Sequence, residues 1–227
     1  MKLLVNKHPL IVRWNHWINF PVLAVMVWSG LLIYWANDIF RIGIGRFTLL
    51  SMKLPDSIYD KLHLSHGLAT GMAWHFAFAW IFAVNGIIYV LYTIISWEWR
   101  HLWPDRHSFR DAIDVIRHDL GLIKTAPPQE KYNGAQRIAY SAIVVMGLGS
   151  ILTGLAIYKP VQLGWLTALF FGYAGARFLH FWLTMGYVAF FIVHIAQVAR
   201  AGWGNFRGMI TGYEVADRPA ATDGGGT

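Results

Sequence analysis

The sequence predicts an all-α protein, an integral membrane bundle of four helices. Three observations predict it. The mean hydropathy is +0.42 and 56% of the 227 residues are hydrophobic, beyond the range of an ordinary soluble domain. Four runs contain no Asp, Glu, Lys or Arg, at 18–35, 73–97, 138–158 and 178–199. Each reaches about the 17–25 residues that a helix needs to cross the hydrocarbon core. The chain has no cysteine, which excludes structural disulfides and any Cys-ligated group.

Taken in order, the helices are expected near 14–36, 68–97, 135–158 and 177–200, all within one membrane domain, 1–213. Residues 161–176 are also charge-free, but the run is shorter and holds Gly164, Gly172 and Gly175. It is read as a short interfacial or re-entrant segment before the last helix. Residues 214–227, ending "ATDGGGT", are small and polar and are expected to form a disordered tail. The N-terminus lacks the pattern of a cleaved signal, so the first span reads as a retained anchor. With four spans, both termini and the 98–137 loop share one side. That side carries 13 of the 19 Lys and Arg, which makes it cytoplasmic in a bacterial inner membrane. The net charge of +7 therefore reads as membrane orientation beside lipid, not as nucleic-acid binding.

The last span, "RFLHFWLTMGYVAFFIVHIAQVAR", holds His180 and His194. Fourteen residues separate them, so they lie roughly 40° apart around a helix and about 21 Å apart along it. They share one face, one near each membrane surface. Ionisable groups inside a span begin as functional-site candidates, although a buried histidine can also simply hydrogen-bond across helices. Other spans supply partners at matching depths. His16, at the start of the first span, matches His194. His75, third in the second run, matches His180. His66 competes with His75, but nine residues separate the two and only one can face inward on a continuous helix. His75 has the better depth match.

Zinc sites take four ligands, or three plus water, whereas haem iron takes one axial ligand from each face. Two stacked histidine pairs thus suit two non-covalent b haems in the bundle core, with His16, His75, His180 and His194 as iron ligands. "RWNH" and "RFLH" place Arg13 and Arg177 three residues before His16 and His180, on the same helix face. There each could meet a haem propionate, or snorkel and set topology. Gly186, between the two last-span histidines, is the candidate to leave room for a flat macrocycle.

The pieces "RWNHW" (13–17), "WHFAFAWIFAVNGIIYVLY" (74–92), "KYNGAQR" (131–137) and the last span resemble the prokaryotic di-haem b-type cytochromes of the cytochrome b561 kind. That group includes membrane subunits of nickel–iron hydrogenases and of formate dehydrogenase, and the resemblance covers nearly all of residues 8–213. It implies the pairs His16/His194 and His75/His180, as depth does. It implies electron transfer between membrane quinone and a redox partner. "KYNGAQR" and the tail "AGWGNFRGMITGYE" look most like members that serve molybdopterin-dependent oxidoreductases outside the cytoplasmic membrane. Residues 53–62 and 98–132 depart from a minimal member by their length.

The leading expectation is a respiratory electron-transfer subunit. A hydrogenase or formate dehydrogenase cytochrome, a stand-alone superoxide:quinone-type oxidoreductase and a non-redox transporter with a histidine proton relay are the alternatives. Asn133 and Gln136, three apart, could offer amide hydrogen bonds to a quinone near His194, as the resemblance to formate dehydrogenase subunits implies. They equally suit a helix-capping box.

Overall fold

The computed structural model describes residues 2–36, 41–44, 47–51, 55–61, 67–119, 121–124 and 132–217. Strand β1 (Lys2–Asn6) leads into α1 (Leu10–Trp35). A hairpin of β2 (Arg41–Ile44) and β3 (Phe47–Ser51) and a short α2 (Asp56–Lys61) precede α3 (Leu68–Ile95). The loop that follows carries α4 (Trp99–Leu102) and α5 (Ser108–Asp119). Then come α6 (Gly134–Tyr158), the short α7 (Gly164–Leu169), α8 (Gly172–Thr211) and β4 (Tyr213–Asp217).

Among the described residues, four helices are long and apolar enough to cross a membrane: α1, α3, α6 and the part of α8 from Gly172 to Gly204. The bundle is inside-out relative to a soluble core. Outward positions of α3 are large and apolar, with Trp80 74% and Ile95 76% exposed, whereas Ser29, Asn85 and Thr153 are buried. That is the pattern of helices solvated by lipid and joined through small and polar residues. Pro21 lies within α1, as spans allow when local carbonyls find other donors. Helix α1 packs along α3, and α6 along α8, with a thinner seam between the two layers.

Residues 161–176 resolve into α7 and the first turn of α8. Leu166 of α7 is buried with Ala156 and Ala176, so the segment is folded back against the ends of two spans. The last helix begins five residues earlier than expected from 177 and runs on to Thr211. It bends at Gly202, whose φ of 79° is open to glycine without strain. Past the bend it returns to the start of α1, where Trp17 Nε1 donates to Met209 O at 3.1 Å.

The expected tail begins with structure. Residues 213–217 form β4, antiparallel to β1, with Asn6 opposite Tyr213. Residues 218–227 lie outside the described residues. Because β1 and β4 pair, both ends of the chain meet at one end of the bundle.

Candidate haem-binding site

The seam between the two layers brings the four intramembrane histidines together in two pairs. His16 of α1 and His194 of α8 have ring centroids 6.0 Å apart. His75 of α3 and His180 of α8 also stand 6.0 Å apart. Two imidazoles bound to one metal from opposite sides, each at about 2.0–2.1 Å with rings about 1 Å in radius, would hold their centroids roughly 6 Å apart. His63 and His66 lie outside the described residues. Among the described ones, no three His, Asp or Glu side chains converge, so the donor sets are pairs and not a zinc-type cluster.

The pair of His75 and His180 is held by neighbouring hydroxyls, which sequence reasoning missed. Ser29 Oγ lies 3.0 Å from His75 Nδ1 and 2.6 Å from Val25 O. Thr153 Oγ1 lies 2.9 Å from His180 Nδ1 and 2.7 Å from Gly149 O. A hydroxyl that donates to its own helix accepts from the imidazole. A ring so held at Nδ1 leaves Nε2 for a metal, the arrangement that orients ligating histidines elsewhere.

The residue after each hydroxyl is glycine. A Cβ at Gly30 would stand 3.2 Å from His75 Cε1, a tight approach, whereas one at Gly154 would meet His180 Cε1 at 3.4 Å, an ordinary contact. Ser29 and Thr153 each set a hydroxyl against a histidine ring, and at Gly30 the bare backbone also gives the ring room. A mid-span hydroxyl followed by glycine was the available signal. Gly186 lies elsewhere: a Cβ there would meet Met146 Cε at 2.7 Å, so it serves the α6–α8 contact.

Beside this pair lies a small cavity of about 40 Å³, lined by Met26, His75, Phe82, Ser150, His180, Thr184 and Tyr187. Tyr187 falls midway between His180 and His194 on α8, and its hydroxyl reaches Ile143 O at 3.4 Å.

The pair of His16 and His194 differs. His194 stacks on Phe190, ring centroids 5.6 Å apart. Arg13 donates through Nη1 to Ile210 O, yet its Nε, like His16 Nδ1, is buried with no hydrogen-bond partner. An orphaned buried donor normally signals a group that completes it. A propionate near Arg13 Nε would do so. Arg177, at the other end, lies over the Tyr173 ring at 5.9 Å. The residues thus fit haem in donor type and spacing. Such a group supplies one-electron redox chemistry, while the protein supplies ligation, spacing and electrostatics.

Asn133 and Gln136 form a capping box. Gln136 N donates to Asn133 Oδ1 at 2.9 Å, and Asn133 N donates to Gln136 Oε1 at 3.1 Å. The oxygens of both amides are committed to the start of α6. Next to this cap, Tyr132 joins Lys7, His8, Tyr89, Tyr92 and Glu98 around a second small cavity of about 30 Å³. Burial in this cluster pushes the Tyr132 hydroxyl above its ordinary range.

Comparison with known proteins gives the family. The model of the prokaryotic cytochrome b561 family matches residues 7–212. This chain belongs to the prokaryotic cytochrome b561 family. It is also 32% identical over 195 residues to a protein of Azospira oryzae, covering 85% of this chain and 89% of that one. The relative is named, provisionally, protein-methionine-sulfoxide reductase subunit YedZ1. Membership and the four long apolar helices make this chain a multi-pass membrane cytochrome, and b-type haem is the cofactor that the family implies.

Proposed function

We propose that this chain is a di-haem electron-transfer subunit that links membrane quinone to a redox partner protein. His75 and His180 hold one haem, and His16 and His194 the other. The observation that carries the reading is the pair of matched 6.0 Å histidine gaps in the seam between helix layers. Arg13 and Arg177 neutralise propionates at the two ends of the bundle. Quinone exchanges electrons at the end that bears both termini, beside Asn133, Gln136 and His194, where the amide NH₂ groups remain to donate to a quinone carbonyl. That end faces the cytoplasm of the inner membrane. The partner docks at the opposite, periplasmic face. A partner that reduces oxidised methionine is favoured by the name of the Azospira oryzae relative, and a molybdopterin cofactor in that partner by the resemblance to molybdopterin-serving members.

Pyridine haemochrome analysis of the purified chain tests the count. Two b haems per chain are expected, and His194→Ala should keep one. A wild-type count of one, or full retention of both in that variant, would end this assignment. For the quinone site, Asn133→Ala and Gln136→Ala variants that keep both haems should reduce them more slowly from quinol. Wild-type rates in both, with unchanged inhibitor binding, would move the site elsewhere.

A further inference from the structure

Helix α5 is strongly two-faced, and its apolar side is largely exposed. Phe109, Ile113 and Ile116 lie within roughly 60° of arc and are 65%, 51% and 55% exposed. Leu122, just beyond the helix, is 70% exposed. The adjoining side is the one that packs. Ser108 and Ala112 are buried, and a Cβ on Gly134 would stand 2.5 Å from Ser108 O, so α5 meets the start of α6 backbone to backbone. On the far side of the apolar stripe stand Arg110 and Arg117, both exposed, with Arg117 Nη1 3.7 Å from Asp114.

Both ends of α5 are tied to spans. At its start, Arg137 of α6 binds Asp105 at 2.7 Å and donates to Trp103 O at 2.7 Å. At its end, Gln197 and Arg200 of α8 donate to Asp119, at 2.8 Å to Oδ2 and 2.7 Å to the backbone O. The helix therefore bridges the same end of two spans and runs across them. Exposed Trp97, Trp99 and Trp103 lead into it from α3, as aromatic residues do at a membrane interface.

We infer that α5 is an interfacial helix: Phe109, Ile113 and Ile116 sink into the headgroup–acyl boundary of the bilayer, and Arg110 and Arg117 reach lipid phosphates. The occupant is lipid, because the stripe continues the lipid-facing surface of the spans and is flanked by cations. The consequence is mechanical. The bilayer surface sets the level of α5, and α5 holds α8 at Gln197 and Arg200, three and six residues beyond His194.

The absence of cysteine permits single spin labels. Phe109→Cys, Ile113→Cys, Ile116→Cys, Arg110→Cys and Arg117→Cys are labelled and reconstituted in phosphatidylcholine–phosphatidylglycerol vesicles. Collision rates are then measured with oxygen and with a water-soluble nickel chelate. The oxygen-to-nickel ratio should be several-fold higher at 109, 113 and 116 than at 110 and 117. Nickel access at all five sites would show a solvated helix and overturn the inference. Exclusion of both reagents at 109, 113 and 116 would show a protein-covered face and overturn it equally. A membrane-soluble carbene reagent on the unsubstituted protein gives the second measurement: label must appear between 108 and 119, and its absence there while the spans are labelled defeats the proposal.

Discussion

At the scale of the residue, the telling partners are hydroxyls and glycines rather than the histidines. Ser29 and Thr153 each set a hydroxyl within hydrogen-bond reach of a histidine Nδ1, and removing such support from a ligating histidine typically costs 10–100-fold in metal affinity. Ser29→Ala and Thr153→Ala should each weaken retention at the His75–His180 site by about that factor, read by haem loss to apomyoglobin, with the other site unchanged. Equal loss from both sites would argue against this supporting role. Gly30→Val should go further, because its Cβ would sit 3.2 Å from His75 Cε1 and its methyls closer still. The variant should fold with one haem; a full complement would show that the ring has room to move.

At the scale of the element, the loop between α3 and α6 depends on one carboxylate. Asp105 Oδ1 accepts from the Ser108 hydroxyl at 2.9 Å and from the backbone N–H of His107 and Ser108, each at 2.9 Å, while Oδ2 pairs with Arg137. Chiefly the Ser108 hydroxyl, with these amides and Arg137, holds the Asp105 carboxyl below the usual range. A lowered folded-state value means the contribution is complete above the ordinary aspartate value, about 3.9, and is lost as pH falls through the lower one. Protection of the amides at the start of α5, taken relative to the intrinsic exchange rate at each pH, should thus be constant from neutrality to about pH 4 and fall below it. In Asp105→Asn the lower protection should already be present at neutral pH. Gly134→Ala tests the joint with α6: its Cβ would meet backbone at 2.5 Å, and such overpacking costs about 1–3 kcal/mol. Limited proteolysis in the 103–124 region should accelerate; unchanged cutting would show that α5 does not rely on this contact.

At the scale of the whole molecule, pairing of β1 with β4 brings both termini to one end, which an even number of spans requires. In the proposed orientation, taken from the Lys and Arg distribution, that end faces the cytoplasm. A C-terminal green fluorescent fusion should then be bright and a C-terminal alkaline phosphatase fusion inactive. The reverse result would invert the molecule and exchange the sides of the proposed quinone and partner sites.

Four spans, two levels of histidine and the pairing across the bundle were all readable from residue spacing. Helical period and rise convert sequence separation directly into face and depth, and a charge-free run has few other uses. The capping box at Asn133 was readable too, because it is local chemistry within one turn. What only the tertiary structure decided are contacts between elements distant in sequence. Ser29 meets His75 across 46 positions, Thr153 meets His180 across 27, and Asp119 meets Arg200 across 81. The same holds for Gly186, which packs on Met146, and for residues 213–217, which pair with the N-terminal strand. Hydroxyl and glycine carry no periodic signal of their own, and their roles exist only once a neighbouring helix supplies the group they hold or admit.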